Sequence, residues 1–271
     1  MTDSALYTRK KARFSRMLTV YGRKPALEAL RDESLGCHAL HLADNNREGG
    51  IIAELTAEAA RRGVEVIHHS RAELARISKN GKQDQGVAVD IACPGFRTLE
   101  DFLPSLLQDR ALRLLALDGI SNPANLGMIV RSAAAGQVDG IIWSPRGNAA
   151  LGPLVIKASA GTLYRAPLVI AGELPAALRQ CRENGAGICI LDANATTSLF
   201  DYRPARHCVY VLGNETEGVS AAVRELADTA LSIPMANGVE SLNVAVTASL
   251  IAYAGLLGAS GKSTELRPEA E

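Results

Sequence analysis

The chain has 271 residues, of which 47% are hydrophobic and 21% are charged, and its formal net charge is +0. These values are those of a globular protein with one large domain or two modest ones, and we start from two. They exclude the strongly basic overall charge that often marks a nucleic-acid-binding protein.

The basic residues are unevenly distributed along the chain. Between Asp3 and Glu28 the sequence has no acidic residue. A basic arm, predicted over residues 1–16, could neutralise backbone phosphates and release counterions, although a solvated, frayed terminus is the alternative. The residues predicted to contact phosphates are Arg9, Lys10, Lys11, Arg13, Arg23 and Lys24.

The cysteines are odd in number, widely spaced and without a Cys-x-x-Cys pair. This pattern argues against a disulfide framework and a zinc site, and it favours a reducing cytoplasm. His68 and His69 are adjacent and would face opposite sides of a strand, so they are not expected to share a metal ion. We predict no metal site.

Two further patterns bear on membranes and secretion. No apolar run follows the basic N-terminus, so a secretory signal is not expected. The longest apolar stretch, 244–259, is interrupted by polar residues and is shorter than the roughly 20 residues that a bilayer span requires. It predicts a buried helix.

The first part of the chain alternates between helical and strand patterns, which predicts a small α/β domain over residues 17–97. Pro94, Gly95 and the mixed residues after them predict a linker over 98–110. The helices are predicted at 26–30 and 51–62, and the strands at 38–42, 64–68 and 86–91.

Residues 111–258 repeat strand and then helix, which predicts a parallel sheet covered on both faces. The polar segment 259–271 is predicted to be a disordered tail. The strands are predicted at 112–117, 140–143, 187–192, 208–212 and 231–233, and the helices at 125–135, 151–159, 174–183 and 242–257.

Three polar loops follow strands of this sheet, at 122–131, 213–218 and 234–243. Ligands on parallel sheets bind beyond the carboxyl ends of the strands, so these loops predict one binding site. Structural roles remain open at this point: Asn125 could cap a helix, Glu215 could favour a helix N-terminus, and Ser241 is a predicted N-cap. No dinucleotide-binding or Walker glycine pattern follows any strand.

The three loops resemble, in order and spacing, the signature motifs of the SpoU (TrmH-like) family of RNA 2′-O-ribose methyltransferases in the SPOUT superfamily. The matching segments are Asn122-Pro-x-Asn125-x-Gly127 with Arg131, Leu212-Gly213-Asn214-Glu215 with Gly218, and Ile233-Pro234-Met235 with Ser241-Leu242-Asn243. Residues 157–161 also look like a family segment. Tyr21-Gly22-Arg23 with Gln85-Gly86 resembles the family's small RNA-binding domain, and the resemblance covers about residues 21–257.

The resemblance implies an α/β sheet with a C-terminal trefoil knot, S-adenosylmethionine as cofactor, RNA as substrate and a homodimer. The catalytic residues that it implies are Arg131, Asn122, Asn125, Glu215, Ser241 and Asn243. The implied cofactor-binding residues are Leu212, Gly213, Asn214, Gly218, Ile233, Met235, Ser241 and Leu242. Because a guanidinium stays protonated, we interpret Arg131 as a phosphate clamp rather than a base.

Ribosomal RNA is the predicted substrate because a separate N-terminal domain precedes the sheet. The alternatives are a tRNA ribose methyltransferase, an enzyme that methylates a base nitrogen, and a non-catalytic RNA-binding or ribosome-assembly protein on the same scaffold. The intact motif loops disfavour the last, and the Asn-x-x-Asn pattern with a downstream arginine favours ribose.

Overall fold

The computed structural model describes residues 16–257, and these form two compact units. The first contains residues 16–97 and 150–166, and the second contains residues 98–149 and 167–257. Arg16 is exposed, whereas the rest of the predicted arm and the predicted tail at 259–271 lie outside the described residues.

The first unit is built on a four-stranded sheet of order β1-β4-β2-β3, in which β4 is antiparallel to β1 and β2 while β3 is parallel to β2. The carboxyl ends of β1, β2 and β3 therefore lie at one edge of this smaller sheet, which we call the small carboxyl edge. The elements are β1 (Met17–Tyr21), α1 (Arg23–Arg31), β2 (Cys37–Ala43), α2 (Gly50–Arg61), β3 (Glu65–His69), α3 (Arg71–Ser78) and β4 (Val87–Ala92).

Helices lie on the small sheet because one side of each is apolar. α1 buries Leu27 and Leu30 and contacts β4 and α2. α3 packs over Ala43 and Ala88 through Leu74. α3 begins with a capping box in which the Ser70 hydroxyl accepts from the Glu73 N–H and the Glu73 carboxylate accepts from the Ser70 N–H.

A later segment, residues 150–166, belongs to this first unit as well. It contains α4 (Pro153–Ala158) and a 3₁₀ helix (Thr162–Arg165). A Cβ at Gly152 would lie 3.2 Å from the Tyr21 hydroxyl, and a Cβ at Gly95 would lie 2.4 Å from the Ala166 carbonyl oxygen. The approach at Gly95 leaves no room for a side chain, whereas that at Gly152 is only tight, and both explain why the segment groups with the small domain.

The second unit is built on an eight-stranded sheet of order β10-β12-β9-β11-β6-β7-β8-β5. Every pairing from β10 to β8 is parallel. Its strands are β5 (Arg97–Thr98), β6 (Arg113–Leu117), β7 (Gly140–Trp143), β8 (Leu168–Ile170), β9 (Gly187–Leu191), β10 (Thr197–Ser198), β11 (Cys208–Leu212) and β12 (Thr229–Ser232). Its helices are α5 (Leu99–Phe102), α6 (Pro123–Ala135), α7 (Leu174–Glu183), α8 (Ala221–Arg224) and α9 (Val244–Leu257), and a 3₁₀ helix spans Leu103–Leu107.

Apolar side chains cover both faces of the large sheet. On one face, Leu114, Val209 and Ile188 pack with α7 in a single buried cluster. α6 and α9 pack closely against one another. The Ser249 hydroxyl donates to the Ser132 hydroxyl at 2.8 Å, and a Cβ at Gly136 would lie 2.8 Å from the Ala252 Cβ.

The α/β class, the parallel sheet and the preceding small α/β domain are confirmed, whereas the knot stays a prediction. The predicted linker at 98–110 is wrong, because Leu99, Phe102 and Leu106 are buried in the core of the second unit. The sequence patterns also missed β1, α3, β8 and α8, which are short or carry mixed residues.

Two further properties of the described residues concern membranes and metal ions. None of the helices within residues 16–257 combines the length and the apolar character needed to cross a membrane. The same residues contain no group of three or more His, Cys, Asp or Glu side chains arranged to hold a metal ion. The cytoplasmic location stays a prediction.

Candidate active site

The three polar loops follow β6, β11 and β12, which are parallel members of the large sheet. Parallel strands end at the same edge of a sheet, so the three loops lie at the carboxyl edge of the eight-stranded sheet, which we call the large carboxyl edge. We name them loop 1 (118–122), loop 2 (213–220) and loop 3 (233–243).

Loops 1 and 2 are fastened together by hydrogen bonds. The Asp118 N–H donates to the Leu212 carbonyl at 2.9 Å, and the Asp118 carboxylate accepts from the Ser220 N–H at 2.7 Å. The Asn214 amide nitrogen donates to the carbonyl of Gly119, whose φ of 75° suits glycine. Asp118, Gly119 and Ser220 were not among the predicted site residues, although a polar residue directly after a buried strand is a usable signal.

Loop 2 is a tight turn shaped by its own polar groups. Asn214 and Gly218 exchange two backbone hydrogen bonds of 2.9 Å each, and the Asn214 side-chain oxygen accepts from the N–H of Thr216 at 2.8 Å. A Cβ at Gly213 would lie 2.4 Å from the Gly218 carbonyl carbon. The Asn214 side chain, predicted to bind cofactor, therefore serves loop geometry with both its oxygen and its nitrogen.

Loop 3 is exposed along most of its length. It turns at Asn237 and Gly238, whose φ angles are 55° and 71°. Met235 and Leu242 leave 37% and 36% of their surface exposed. Among the described residues, the backbone N–H groups of Met235 and Leu242 have no hydrogen-bond partner, so they remain available to a ligand.

One hydrogen-bonded chain joins all three motif segments. The Asn125 amide nitrogen donates to the Glu215 carboxylate, and the Asn243 amide nitrogen donates to the Asn125 side-chain oxygen at 3.2 Å. Because a carboxylate only accepts, Glu215 determines which way the Asn125 amide points. Asn125 is buried, whereas Glu215 and Asn243 are exposed.

Two capping interactions begin the helices beside these loops. The Asn122 side-chain oxygen accepts from the Ala124 N–H at 2.8 Å, at the start of α6. The Asn243 side-chain oxygen accepts from the Ala245 N–H at 2.8 Å, at the start of α9. The predicted N-cap at Ser241 is thus wrong, because α9 begins at Val244 and Asn243 makes the bond.

Arg131 lies outside this chain of amides. It is exposed on α6, six residues after Asn125, and six residues turn the helix by about 240°, away from the side that Asn125 occupies. Within residues 16–257, no hydrogen-bond or ion-pair partner engages its guanidinium. Hydrogen bonds therefore join Asn125, Glu215 and Asn243, whereas Arg131, Asn122 and Ser241 make no hydrogen bond to these three among the described residues.

The residues predicted to contact RNA lie partly within the described chain. Arg23 is anchored at the small carboxyl edge, where its guanidinium donates to the Gln85 carbonyl at 3.2 Å and to the Asn46 side-chain oxygen at 3.1 Å. Lys24 is exposed. The other predicted residues, Arg9, Lys10, Lys11 and Arg13, lie outside the described residues.

Two family models match the chain. Residues 113–253 match the SpoU rRNA Methylase family, and residues 19–94 match a domain described as RNA 2′-O ribose methyltransferase substrate binding. The chain belongs to the SpoU methylase family. It is an RNA methyltransferase of that family, and membership supports S-adenosylmethionine as the methyl donor.

Curated relatives of this SpoU chain agree with the assignment. A protein of Mycobacterium tuberculosis named "Uncharacterized tRNA/rRNA methyltransferase" is 35% identical over 86% of this chain and 72% of its own length. A protein of the same name from Mycolicibacterium vanbaalenii is 36% identical over 86% of this chain and 74% of its own length.

Solved structures share the fold at lower identity. The SpoU methyltransferase AviRb from Streptomyces viridochromogenes, solved in complex with AdoMet, has a TM-score of 0.60 and 22% identity, with 91% of this chain and 92% of that one covered. An AdoMet-bound rRNA methyltransferase from Sinorhizobium meliloti has a TM-score of 0.61 and 20% identity, with 90% and 88% covered.

Proposed function

We propose that this chain transfers a methyl group from S-adenosylmethionine to a ribose 2′-hydroxyl, and that its substrate is ribosomal rather than transfer RNA. The observation that carries the proposal is the series of side-chain hydrogen bonds from Glu215 through Asn125 to Asn243, which links the three motif segments at the large carboxyl edge. Two amides oriented by a carboxylate offer fixed donors and acceptors, which suit a neutral sugar better than a charged group.

Loop 2 and loop 3 have the properties needed to hold the cofactor. The backbone N–H groups of Met235 and Leu242 are unused by the described residues, and both side chains are partly exposed apolar surface. Backbone donors beside apolar side chains suit the heteroatoms and the faces of a purine. Leu212, Gly213, Asn214, Gly218, Ile233 and Ser241 complete the proposed cofactor contacts.

When bound, the cofactor supplies an electrophilic methyl group on a sulfonium. The protein must align the 2′-oxygen with that methyl, and alignment can lower a barrier by up to roughly 7–11 kcal/mol. We assign Asn122 and Asn125 to the ribose and Ser241 and Asn243 to the reacting centre. Glu215 holds Asn125 in the required orientation, so it acts as a positioning residue.

Arg131 is proposed to bind the phosphate next to the reacting ribose. It is an exposed cation without a partner among the described residues, whereas many arginines elsewhere in the chain are paired. A guanidinium can bind a phosphate with two parallel hydrogen bonds. That contact would fix the nucleotide and leave proton removal to another group.

A homodimer is proposed from the outer face of α6 and α9. Met128, Val246 and Tyr253 leave 40%, 46% and 38% of their surface exposed on these adjacent helices. Neighbouring apolar side chains of this size commonly mark an interaction surface. Because Arg131 lies on the same helix as Met128, dimerisation would place that surface next to the proposed phosphate site.

The proposed reaction can be tested by incubating the chain with isotope-labelled S-adenosylmethionine and either bacterial ribosomal RNA or bulk tRNA. Both RNAs should come from cells that lack the enzyme. After digestion to nucleosides, we expect the label in a 2′-O-methylnucleoside from ribosomal RNA. Label on a base would replace the ribose assignment, label in tRNA alone would replace the substrate, and no label would support a non-catalytic protein.

A further inference from the structure

A line of polar side chains crosses the small sheet, with one residue on each of its four strands. The Thr19 hydroxyl on β1 donates to the Asp90 carboxylate on β4 at 2.6 Å. Asp90 also lies 3.2 Å from His41 Nε2 on β2, and His41 Nδ1 lies 2.9 Å from His69 Nε2 on β3. The line follows the spatial order of the strands and ends at the edge strand.

The hydrogen bonds determine where the protons reside. A carboxylate accepts only, so His41 must carry a proton on Nε2. The Nδ1 of neutral His41 is then an acceptor, and His69 must donate from its own Nε2. This arrangement leaves His69 Nδ1 at the open end of the line, where it can gain a proton without breaking any bond of the line.

Asp90 remains ionised and so favours positive charge along the line. Burial raises the pKa of Asp90, but the hydrogen bonds from His41 and Thr19 together lower it by more, so the pKa of Asp90 lies below its ordinary value. The side chains of His41 and Asp90 are only 9% and 14% exposed, so solvent screens this charge weakly. His38 is a further titratable group whose charge influences Asp90.

His69 itself is partly exposed and ends β3 at the small carboxyl edge. On its α3 side lies Glu73, whose carboxylate is bound by Ser70 and lies near Arg76. From β2 and β4 the facing groups are His41 and Asp90. The Asp44 carboxylate lies 3.9 Å from His68, whose side chain points to the other face of the sheet.

Basic side chains surround this end of the sheet. Arg71 follows His69 by two residues and holds the loop after α3 by donating to the Gly81 carbonyl at 2.5 Å. Lys79 and Lys82 belong to that loop. Arg71 is paired with Asp84, so the cations that this loop offers to an anion are the exposed Lys79 and Lys82, beside His69 once it is protonated.

We propose that His69 is an RNA-contacting residue, which takes up a proton on Nδ1 and donates it in a hydrogen bond to a backbone phosphate of the substrate. Asp90 and His41 are its positioning residues. The inference rests on the proposed function in that the bound substrate is RNA. A phosphate contact carries no sequence information, so any structured RNA should report it.

The proposal couples RNA affinity to pH in a defined direction. Phosphate binding stabilises protonated His69, so affinity should rise as the pH falls through the ordinary histidine range near about 6.5. We expect RNA binding to be roughly fivefold tighter at pH 6.0 than at pH 8.0. His68 provides a matched control because it is adjacent, 65% exposed and on the opposite face.

The experiment measures binding of the full chain to a fluorescein-labelled RNA hairpin by anisotropy, from pH 6.0 to 8.0 at constant ionic strength. The wild-type chain and H68Q should bind about fivefold more tightly at the lower pH, whereas H69Q should change by less than about twofold. In D90N, the midpoint of the pH dependence of RNA binding should lie at lower pH than in the wild-type chain, because the negative charge next to His41 is removed. Equal slopes in H69Q and wild type, or a lost slope in H68Q, would overturn the proposal.

A second measurement on the wild-type chain is independent of how well the variants fold. In ¹³C-histidine NMR spectra, the ring signals of His69 should shift towards those of the protonated form on adding the RNA hairpin, while those of His68 should stay the same. An unchanged His69 would overturn the proposal. Methyl transfer by the wild-type chain separates the two ideas: pH-independent RNA binding by the wild-type chain with normal transfer would defeat the His69 contact alone, whereas absent RNA binding at every pH would defeat both.

Discussion

At the small carboxyl edge the Asp84 side chain is fully buried and its hydrogen bonds end inside the chain, on Arg71, Ser78 and the Gly86 N–H. On α6 of the second unit, Arg131 is exposed and has no partner among the described residues. Asp84 is fully engaged by the loop that it stabilises, whereas Arg131 remains available to a substrate.

The Arg131→Ala variant should have the largest effect and should affect activity alone. We expect methyl transfer to fall about 10³-fold, because the proposed phosphate contact is lost, while the free energy of unfolding changes by less than about 0.5 kcal/mol. Steady-state kinetics and urea denaturation measure the two. Arg224→Ala is the control, since that exposed arginine pairs with Asp192; wild-type turnover in Arg131→Ala would contradict the assignment.

The Asp84→Asn variant should show the opposite pattern and lose stability by about 2 kcal/mol, because Arg71 and Ser78 lose an ionised partner in a buried place. Burial raises the pKa of Asp84, but the bonds from Gly86, Ser78 and Arg71 lower it below its ordinary value. The stabilisation is therefore full above the unfolded pKa and disappears as the pH falls through the folded one.

Chemical denaturation of both proteins between pH 7 and pH 2, followed by far-UV circular dichroism, checks this expectation. The difference between wild type and Asp84→Asn should close in the acid range. A difference that persists there would mean that Asp84 acts through its shape rather than its charge.

The Glu215→Gln variant lies between these extremes. A glutamine can donate as well as accept, so the Asn125 amide would no longer have one defined orientation, and we expect turnover to fall about tenfold with little change in stability. The matched control is Glu217→Gln, because the Glu217 carboxylate has no hydrogen bond among the described residues. Equal losses in both variants would remove the positioning role of Glu215.

The smallest expected effect is that of Asn122→Ala. Loss of the α6 cap should cost about 1 kcal/mol of stability, and Asn122→Asp should restore it. Because Asn122 is also assigned to the ribose, turnover should fall in Asn122→Ala by more than the loss of folded protein explains. Turnover within about threefold of the wild-type value would make Asn122 a helix cap alone.

Much of this fold follows from local patterns in the sequence. The strands at 140–143 and 208–212 and the helix at 174–183 coincide with β7, β11 and α7, because their apolar runs are bounded by clear turn residues. β1 and α3 were missed because a five-residue strand and an eight-residue helix give weak periodicity. The local pattern over residues 98–110 predicts a linker, because burial of Phe102 depends on a sheet formed by distant segments.

The sequence by itself determined that three polar loops follow strands of a parallel sheet, and the motif residues in those loops identified the methyltransferase family. Only the tertiary structure decided that Asn125 is hydrogen-bonded to Glu215 and Asn243, and that Thr19, Asp90, His41 and His69 form one line. Local periodicity reports which side of an element is apolar. It carries no information on contacts between residues 90 or 118 positions apart, and these contacts define the site.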